Sequence, residues 1–209
     1  TNLSHDHLDY HKTIKDYFKS KIYLFEKLLK KKSTIITDIE IPQYKKIKSI
    51  AIKRKLNIET ISNEKSSLNI ISHKYLQNKQ LIEIKFKNKI YKTQVSLIGK
   101  IQITNILMAM IAAEKSGLNF KKVVNVISKI KPVSGRLEEI GLIKNNAKVI
   151  LDYAHTPGAL KTCLQNLKEQ FKDKKISIVF GCGGNRDQTK RAMMGKIANY
   201  YCSKIYLTD

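Results

Sequence analysis

Two stretches, "VILDYAHTPGAL" (149–160) and "VFGCGGNRDQTKR" (179–191), carry the side chains best placed to do chemistry. Asp152 stands where a β run should end, and Thr156-Pro157 is a capping residue followed by proline at the first helical position. A carboxylate at the carboxyl end of a parallel strand can bind the hydroxyls of a ribose. It can equally organise a turn together with His155, and spacing alone leaves both readings open. In the second stretch Gly181, Gly183 and Gly184 follow a β run, so that backbone can approach a ligand closely. Arg186, Lys190 and Arg191 then place cations beside a helix N-terminus, a combination suited to a carboxylate or a phosphate. The Gly-Lys-Ser/Thr ending of a Walker A loop is absent, and so is GxGxxG; a tight turn with solvated charges is the competing reading. A third stretch, "SHDHLDYH" (4–11), sets His5, His7 and His11 among Asp6 and Asp9. No cysteine lies nearby and the spacing is unlike HExxH, which argues against zinc.

The elements that position these residues follow from periodicity. Asp9 to Lys32 is helical in pattern, with apolar residues recurring every three or four positions. "STIITD" (33–38) and "IKSIAI" (47–52) read as short buried strands, and "LNIISHKYL", "QLIEIKFKN" and "KIYKTQVSL" as an antiparallel set. "IQITNILMAMIAAEKSG" is a long apolar helix ending at Gly117, and "NFKKVVNVISKI" a second helix after an Asn cap. All nine glycines fall from Gly99 onward, and "KPVSGR" (131–136) is a Pro/Gly break that places a domain boundary between residues 131 and 132. Beyond it, "AKVILDYA", "KISIVFGCGG" and "SKIYLTD" alternate as strands with the helices "TPGALKTCLQNLKEQF" and "KRAMMGKIANYYC". That βαβ rhythm predicts a parallel sheet with ligands at the strands' carboxyl ends.

Composition narrows the class. The 209 residues are 42% hydrophobic and 27% charged, as in a soluble globular protein. No apolar run approaches the ~20 residues of a membrane helix, so no membrane partner is expected. Three scattered cysteines suit a reducing cytoplasm. A formal charge of +23 invites a nucleic-acid partner. Against it, only Arg54, Arg136, Arg186 and Arg191 among the 40 basic residues are arginine, and the lysines are spread over nearly every segment. No nucleic-acid partner is expected; a basic nucleic-acid-binding module stays as the remote alternative.

In order along the chain, "NLSHDHLDYHKTIKDYFKSK", "LIGKIQITNILMAMIAA", "PVSGRLEEIG", "LDYAHTPGAL" and "FGCGGNRDQTKRAMMG" resemble the Mur ligases of peptidoglycan synthesis. "DYAHTP", "GCGGNRD" and "KR..MG" resemble most the branch of that family that adds the third residue of the peptide. The resemblance covers nearly the whole chain, with residues 39–97 matching only in pattern. It implies an α/β chain: the end of a central ATPase domain with an antiparallel β set (1–131), then the start of a Rossmann-like C-terminal domain (132–209). It also implies a fragment, inactive alone, whose phosphate loop and metal-binding glutamate lie upstream and whose Asp-Asn-Pro-Arg substrate loop follows Asp209.

The activity so implied is ATP-dependent amide ligation through an acyl phosphate. The substrates would be a UDP-N-acetylmuramoyl dipeptide and meso-diaminopimelate, with Mg2+ and ATP required, in a monomeric cytoplasmic enzyme. By motif match, His7 resembles a magnesium ligand and Lys21 a carbamylated lysine, whose carbamate oxygens could bind a hard metal where an ammonium cannot. Asn105 resembles an adenine contact, Arg136 a nucleotide contact from the linker, and Asp152 a ribose ligand with His155 beside it. Arg186 resembles the grip on a carboxylate of the diamino acid. His11 would lie near the site without a defined role, and His5 would be solvated. Gln102, Ser134 and Asn185 depart from the asparagine, proline and aspartate more usual at their positions. A lysine-adding ligase or a folylpolyglutamate synthetase-like relative is the alternative within the class.

Overall fold

A computed structural model describes Leu3, residues 10–183 and residues 189–208. Helix α1 (Ile14–Tyr23) starts at Thr13, whose side chain accepts from the Asp16 amide. It runs into one π turn (Leu24–Leu28) closed by a 3.0 Å bond from Leu29 N to Leu24 O. The helical pattern toward Lys32 thus ends early, at that wide turn. Strand β1 (Thr34–Asp38), helix α2 (Tyr44–Arg54) and strand β2 (Asn57–Ser62) follow.

Helix α2 corrects the strand expected over 47–52. Ile47, Ile50 and Ala51 are buried while Lys45, Lys46 and Lys48 are exposed, the three- and four-residue spacing of one helical face. The missed partner of β1 is β2, which pairs with it in parallel from Thr34–Asn57 to Asp38–Ile61.

Strands β3 (Leu68–Leu76), β4 (Lys79–Phe86) and β5 (Lys89–Val95) form the expected antiparallel meander. Lys87 and Asn88 join the last two with positive φ of 46° and 63°, the backbone of a tight hairpin. One sheet of order β1-β2-β3-β4-β5 results, parallel as far as β3 and antiparallel beyond. Helix α3 (Lys100–Lys115) lays Ile103, Leu107, Met110 and Ile111 on it. Helix α4 (Phe120–Ile127), capped by Asn119, stacks Phe120 on Phe86 at 4.1 Å between ring centroids.

The second half has its own core. Strands β6 (Glu138–Ile143) and β7 (Ala147–Leu151) form an antiparallel pair, and β8 (Ser177–Gly181) pairs in parallel with β9 (Lys204–Thr208). Helices α5 (Pro157–Gln170) and α6 (Thr189–Tyr201) bury Leu160, Leu164 and Met194 against Ile178 and Phe180. The expected parallel alternation is therefore met by β8 and β9, while the described partner of β7 is β6. Strand β6 escapes pattern reading because Gly141 sits at a register shift and its apolar residues Ile140, Leu142 and Ile143 are all exposed.

The halves meet where α3 begins. Gly99 N donates to Gln170 Oε1 at 2.8 Å and Ile101 N to Asn166 Oδ1 at 3.0 Å, so α5 caps α3. From below, buried Gln80 donates through Nε2 to the carbonyls of Leu97 (2.6 Å) and Gly99 (3.1 Å). Gly99 has φ +88°, and a Cβ there would lie 2.9 Å from Asn166 Cβ and 3.0 Å from Leu137 Cδ1. Gly99→Ala is expected to destabilise the protein by about 2 kcal/mol or more, from the left-handed backbone and the contact with α5 together. Asn166→Ala should cost about 1 kcal/mol through the lost cap. Urea unfolding of the two variants against wild type measures both.

Candidate functional site

Asp152 is the first residue after β7, as its place in the sequence requires. Its Oδ1 accepts from Ala154 N at 2.9 Å and its Oδ2 from Leu137 N at 2.8 Å. The carboxylate thereby ties the end of β7 to the segment leading into β6, where Leu137 takes φ +49°. Each oxygen keeps a second lone pair, so structural bonding leaves room for two hydroxyl donors. Turn and ligand roles are compatible on one side chain.

The linker residues are held as closely. Tyr153 N donates to Gly135 O at 2.8 Å, Gly135 N to Glu138 Oε2 at 2.8 Å, and Arg136 N to Val133 O at 3.0 Å. The Arg136 guanidinium lies over the Tyr153 ring, 4.8 Å from its centroid. His155 meets the same ring edge-on at 5.0 Å, and its Nδ1 is 3.0 Å from Tyr153 O. A ring nitrogen facing a carbonyl oxygen must carry the hydrogen, which leaves Nε2 for another partner. From α6, Lys190 Nζ reaches His155 O at 3.4 Å.

Helix α3 closes the other side. Gln102 Nε2 donates to Arg136 O at 3.2 Å. Asn105 is exposed and three positions further along, hence on the same helix face. The structure thus links Arg136 and His155 through Tyr153, ties Asp152 to the same linker through Leu137, and sets Asn105 one turn beyond the linker's anchor. His7 and Arg186 lie outside the described residues.

Sequence reasoning missed Tyr153 and gave Gln102 no role. Tyr153 could have been suspected from its place between Asp152 and His155; nothing in the sequence says that its ring meets Arg136.

Lys21 lies in the last turn of α1, exposed, with Nζ 4.9 Å from the Tyr17 ring centroid. Tyr17 stacks on His11 at 4.9 Å, and His11 meets the Tyr10 ring at 4.8 Å. Lys21 also borders a cavity of about 260 Å3 between α1, β1 and α2, whose lining includes Phe18, Ile36, Thr37 and Ile47. No hydrogen bond or ring contact among the described residues joins Lys21 or Asn105 to the Asp152 cluster, and none of these residues gather as three or more His, Cys, Asp or Glu.

Cys163 lies on α5, and burial first, then the Asp152 charge and Cys202, pushes its thiol up to about 12. Only the thiolate attacks, so Cys163 stays inert near neutral pH. Alkylation by iodoacetamide at pH 8 should modify it at least about a hundredfold more slowly in the folded protein than in urea, as followed by peptide mass spectrometry.

A mixed sheet bearing α3, joined by a pinned linker to a βαβ half with a carboxylate at a strand end, is a two-part α/β architecture of the kind that binds ligands at the carboxyl ends of its strands. Residues 1–113 match the Mur ligase middle domain, and residues 135–209 match the Mur ligase glutamate ligase domain. The chain belongs to the Mur ligase family. It is 38% identical over 210 residues to the UDP-N-acetylmuramoyl-L-alanyl-D-glutamate--2,6-diaminopimelate ligase of Rickettsia bellii, and 34% identical over 209 residues to that of Agrobacterium fabrum. All of this chain is covered in both comparisons, with 43% and 42% of the relative. The chain therefore spans less than half the length of the curated relatives it matches.

A solved UDP-N-acetylmuramoyl-L-alanyl-D-glutamate--2,6-diaminopimelate ligase superposes with TM-score 0.70 at 28% identity, over all of this chain and 42% of that one. A MurF ligase from Thermotoga maritima in complex with ADP superposes with TM-score 0.76, over 99% of this chain and 47% of that one. At 17% identity the latter likeness is one of fold.

Proposed function

We propose that this chain is part of an ATP-dependent amide ligase that adds meso-diaminopimelate to UDP-N-acetylmuramoyl-L-alanyl-D-glutamate. The observation that carries the reading is the linkage of Arg136, Asp152 and His155 through Tyr153 and Leu137, beside the α3 face that bears Asn105. We place the boundary between the central and C-terminal domains at residues 131 and 132, in the irregular segment separating the two cores. No described helix is long and apolar enough to cross a membrane; a cytoplasmic monomer is proposed from the family resemblance alone.

Each residue has a task that its surroundings allow. The spare lone pairs of Asp152 accept from the ribose hydroxyls, and the Asn105 amide meets the adenine edge. Arg136 and His155 face the nucleotide, Arg136 with its charge and His155 through Nε2. The dipeptide carboxylate takes the γ-phosphoryl group of ATP and becomes an acyl phosphate. The amine of diaminopimelate attacks the acyl carbon, and the tetrahedral intermediate expels phosphate. Arg186 holds a carboxylate of the incoming diamino acid.

No group of three or more His, Cys, Asp or Glu stands together among the described residues, and the magnesium place proposed here needs a modified lysine. The exposed Lys21 amine is open to carbon dioxide, and a carbamate there, with His7, would supply oxygen and nitrogen donors. Bound at that place, the ion would neutralise charge on the transferring phosphoryl group. The names of the relatives favour diaminopimelate over the lysine-adding or folylpolyglutamate alternatives.

The complete gene product should form the tripeptide nucleotide only with ATP, preferring diaminopimelate to lysine by about a hundredfold in kcat/KM. Arg136→Ala should raise the KM for ATP about tenfold. Lys21→Ala should abolish turnover, with partial rescue by short carboxylates. Coupled phosphate-release assays read all three, and ligation without ATP or a preference for lysine would overturn the assignment.

A further inference from the structure

We propose that Tyr153 is a positioning residue for the nucleotide site: its ring holds the Arg136 guanidinium, and its carbonyl sets the His155 ring. The inference rests on the nucleotide reading above and adds to it the group that fixes two of its members. Three separate parts of Tyr153 are engaged. Its amide bonds Gly135 O at 2.8 Å, its carbonyl faces His155 Nδ1 at 3.0 Å, and its ring lies under Arg136 at 4.8 Å.

Packing does not account for the ring. It is 65% exposed and contributes to none of the three buried hydrophobic clusters. Its hydroxyl makes no hydrogen bond among the described residues. What the ring meets is a guanidinium lying over it and an imidazole at its edge.

The geometry also explains why a ring is used here. Asp or Glu would fix Arg136 by occupying its N–H donors and cancelling its charge. A ring attracts the guanidinium without supplying an opposite charge or a carboxylate acceptor, so it does not cancel the charge. Among the described residues Arg136 makes no ion pair, so its charge stays available. The backbone is held independently, by Gln102 at the Arg136 carbonyl and Val133 at its amide. Among the described residues, the side chain's recorded partner is Tyr153.

The test compares Tyr153→Leu, Tyr153→Phe, Arg136→Ala and the double variant Tyr153→Leu/Arg136→Ala in the complete gene product. ATP affinity is read by calorimetry, together with KM for each substrate, kcat and thermal melting. Tyr153→Leu should weaken ATP binding about five- to tenfold while melting temperature and the KM for diaminopimelate stay as in wild type. Tyr153→Phe keeps the ring and should restore ATP affinity to within about twofold of wild type. The double variant should bind ATP no more weakly than Arg136→Ala alone, since both act through one group.

Additive losses in the double variant, equal losses for Leu and Phe, or a KM rise for every substrate with a lowered melting temperature would each overturn the role. Wild-type ATP affinity in Tyr153→Leu beside a weakened Arg136→Ala would sink this inference and leave the nucleotide reading standing. Unchanged affinity in Arg136→Ala would remove both.

Discussion

Helix α3 cannot begin properly without α5. Gly99, at its N-cap, has no side chain to satisfy the first amides, and the acceptors come from residues 65 and 71 positions later in the chain. Each bond adds about 1 kcal/mol net, but losing one partner strands a buried amide at about 1–3 kcal/mol. The start of the helix and the seat of the second half therefore share the same bonds. Gln80 makes the seat firmer by holding the carbonyls of Leu97 and Gly99 from the sheet side, with its Oε1 in turn 2.8 Å from His73 Nε2. No space remains for a methyl group where the halves touch.

The candidate site inherits its geometry from that joint. Gln102 and Asn105 project from the first two turns of α3, so their distance from β7 is set by how α5 docks. Gln102 then reaches the Arg136 carbonyl, and Asp152 holds Leu137 one residue further on. The linker is thus tied to both halves within two residues. Strain is accepted to do this, since Gly135 and Leu137 both take positive φ and leucine does so against its preference. Leu137 is nonetheless buried, beside Gly99. The joint and the site share a wall.

The parts legible from sequence were those with a local cause. Thr156-Pro157 and Asn119 are caps that bond as their types predict, and Gly117 follows the end of α3 with φ +94°. The meander was legible because β4 alternates through Gln80, Ile82, Ile84 and Phe86, all buried. Helix α2 was misread because "IKSIAI" is short enough for its isoleucines to fit either period, and only the flanking lysines separate the two. Strand β6 was invisible because neither of its faces is buried. Of the candidate site, motif order supplied Arg136, Asp152 and His155, whereas the contact of Tyr153 with Arg136 is one that no spacing rule encodes.

Charge balance connects the two candidate centres. With 40 basic and 17 acidic residues, the chain has few carboxylates to spare for placing cations. At both candidate centres a cation lies over an aromatic ring. Lys21 stands over Tyr17, which stacks on His11, and Arg136 stands over Tyr153, which meets His155. Each unit is a histidine, a tyrosine and a cation. The tyrosine face attracts a cation by its quadrupole and offers it no proton and no opposite charge. At Arg136 a carboxylate in the ring's place would bind harder but would cancel the charge. Surface ion pairs such as Lys87–Glu114 and Lys148–Glu139 mark the other use of the same residues, where neutralisation is harmless. At Arg136 the ring orients the charge without consuming it, whereas the carbamate proposed at Lys21 would exchange that cation for an anion.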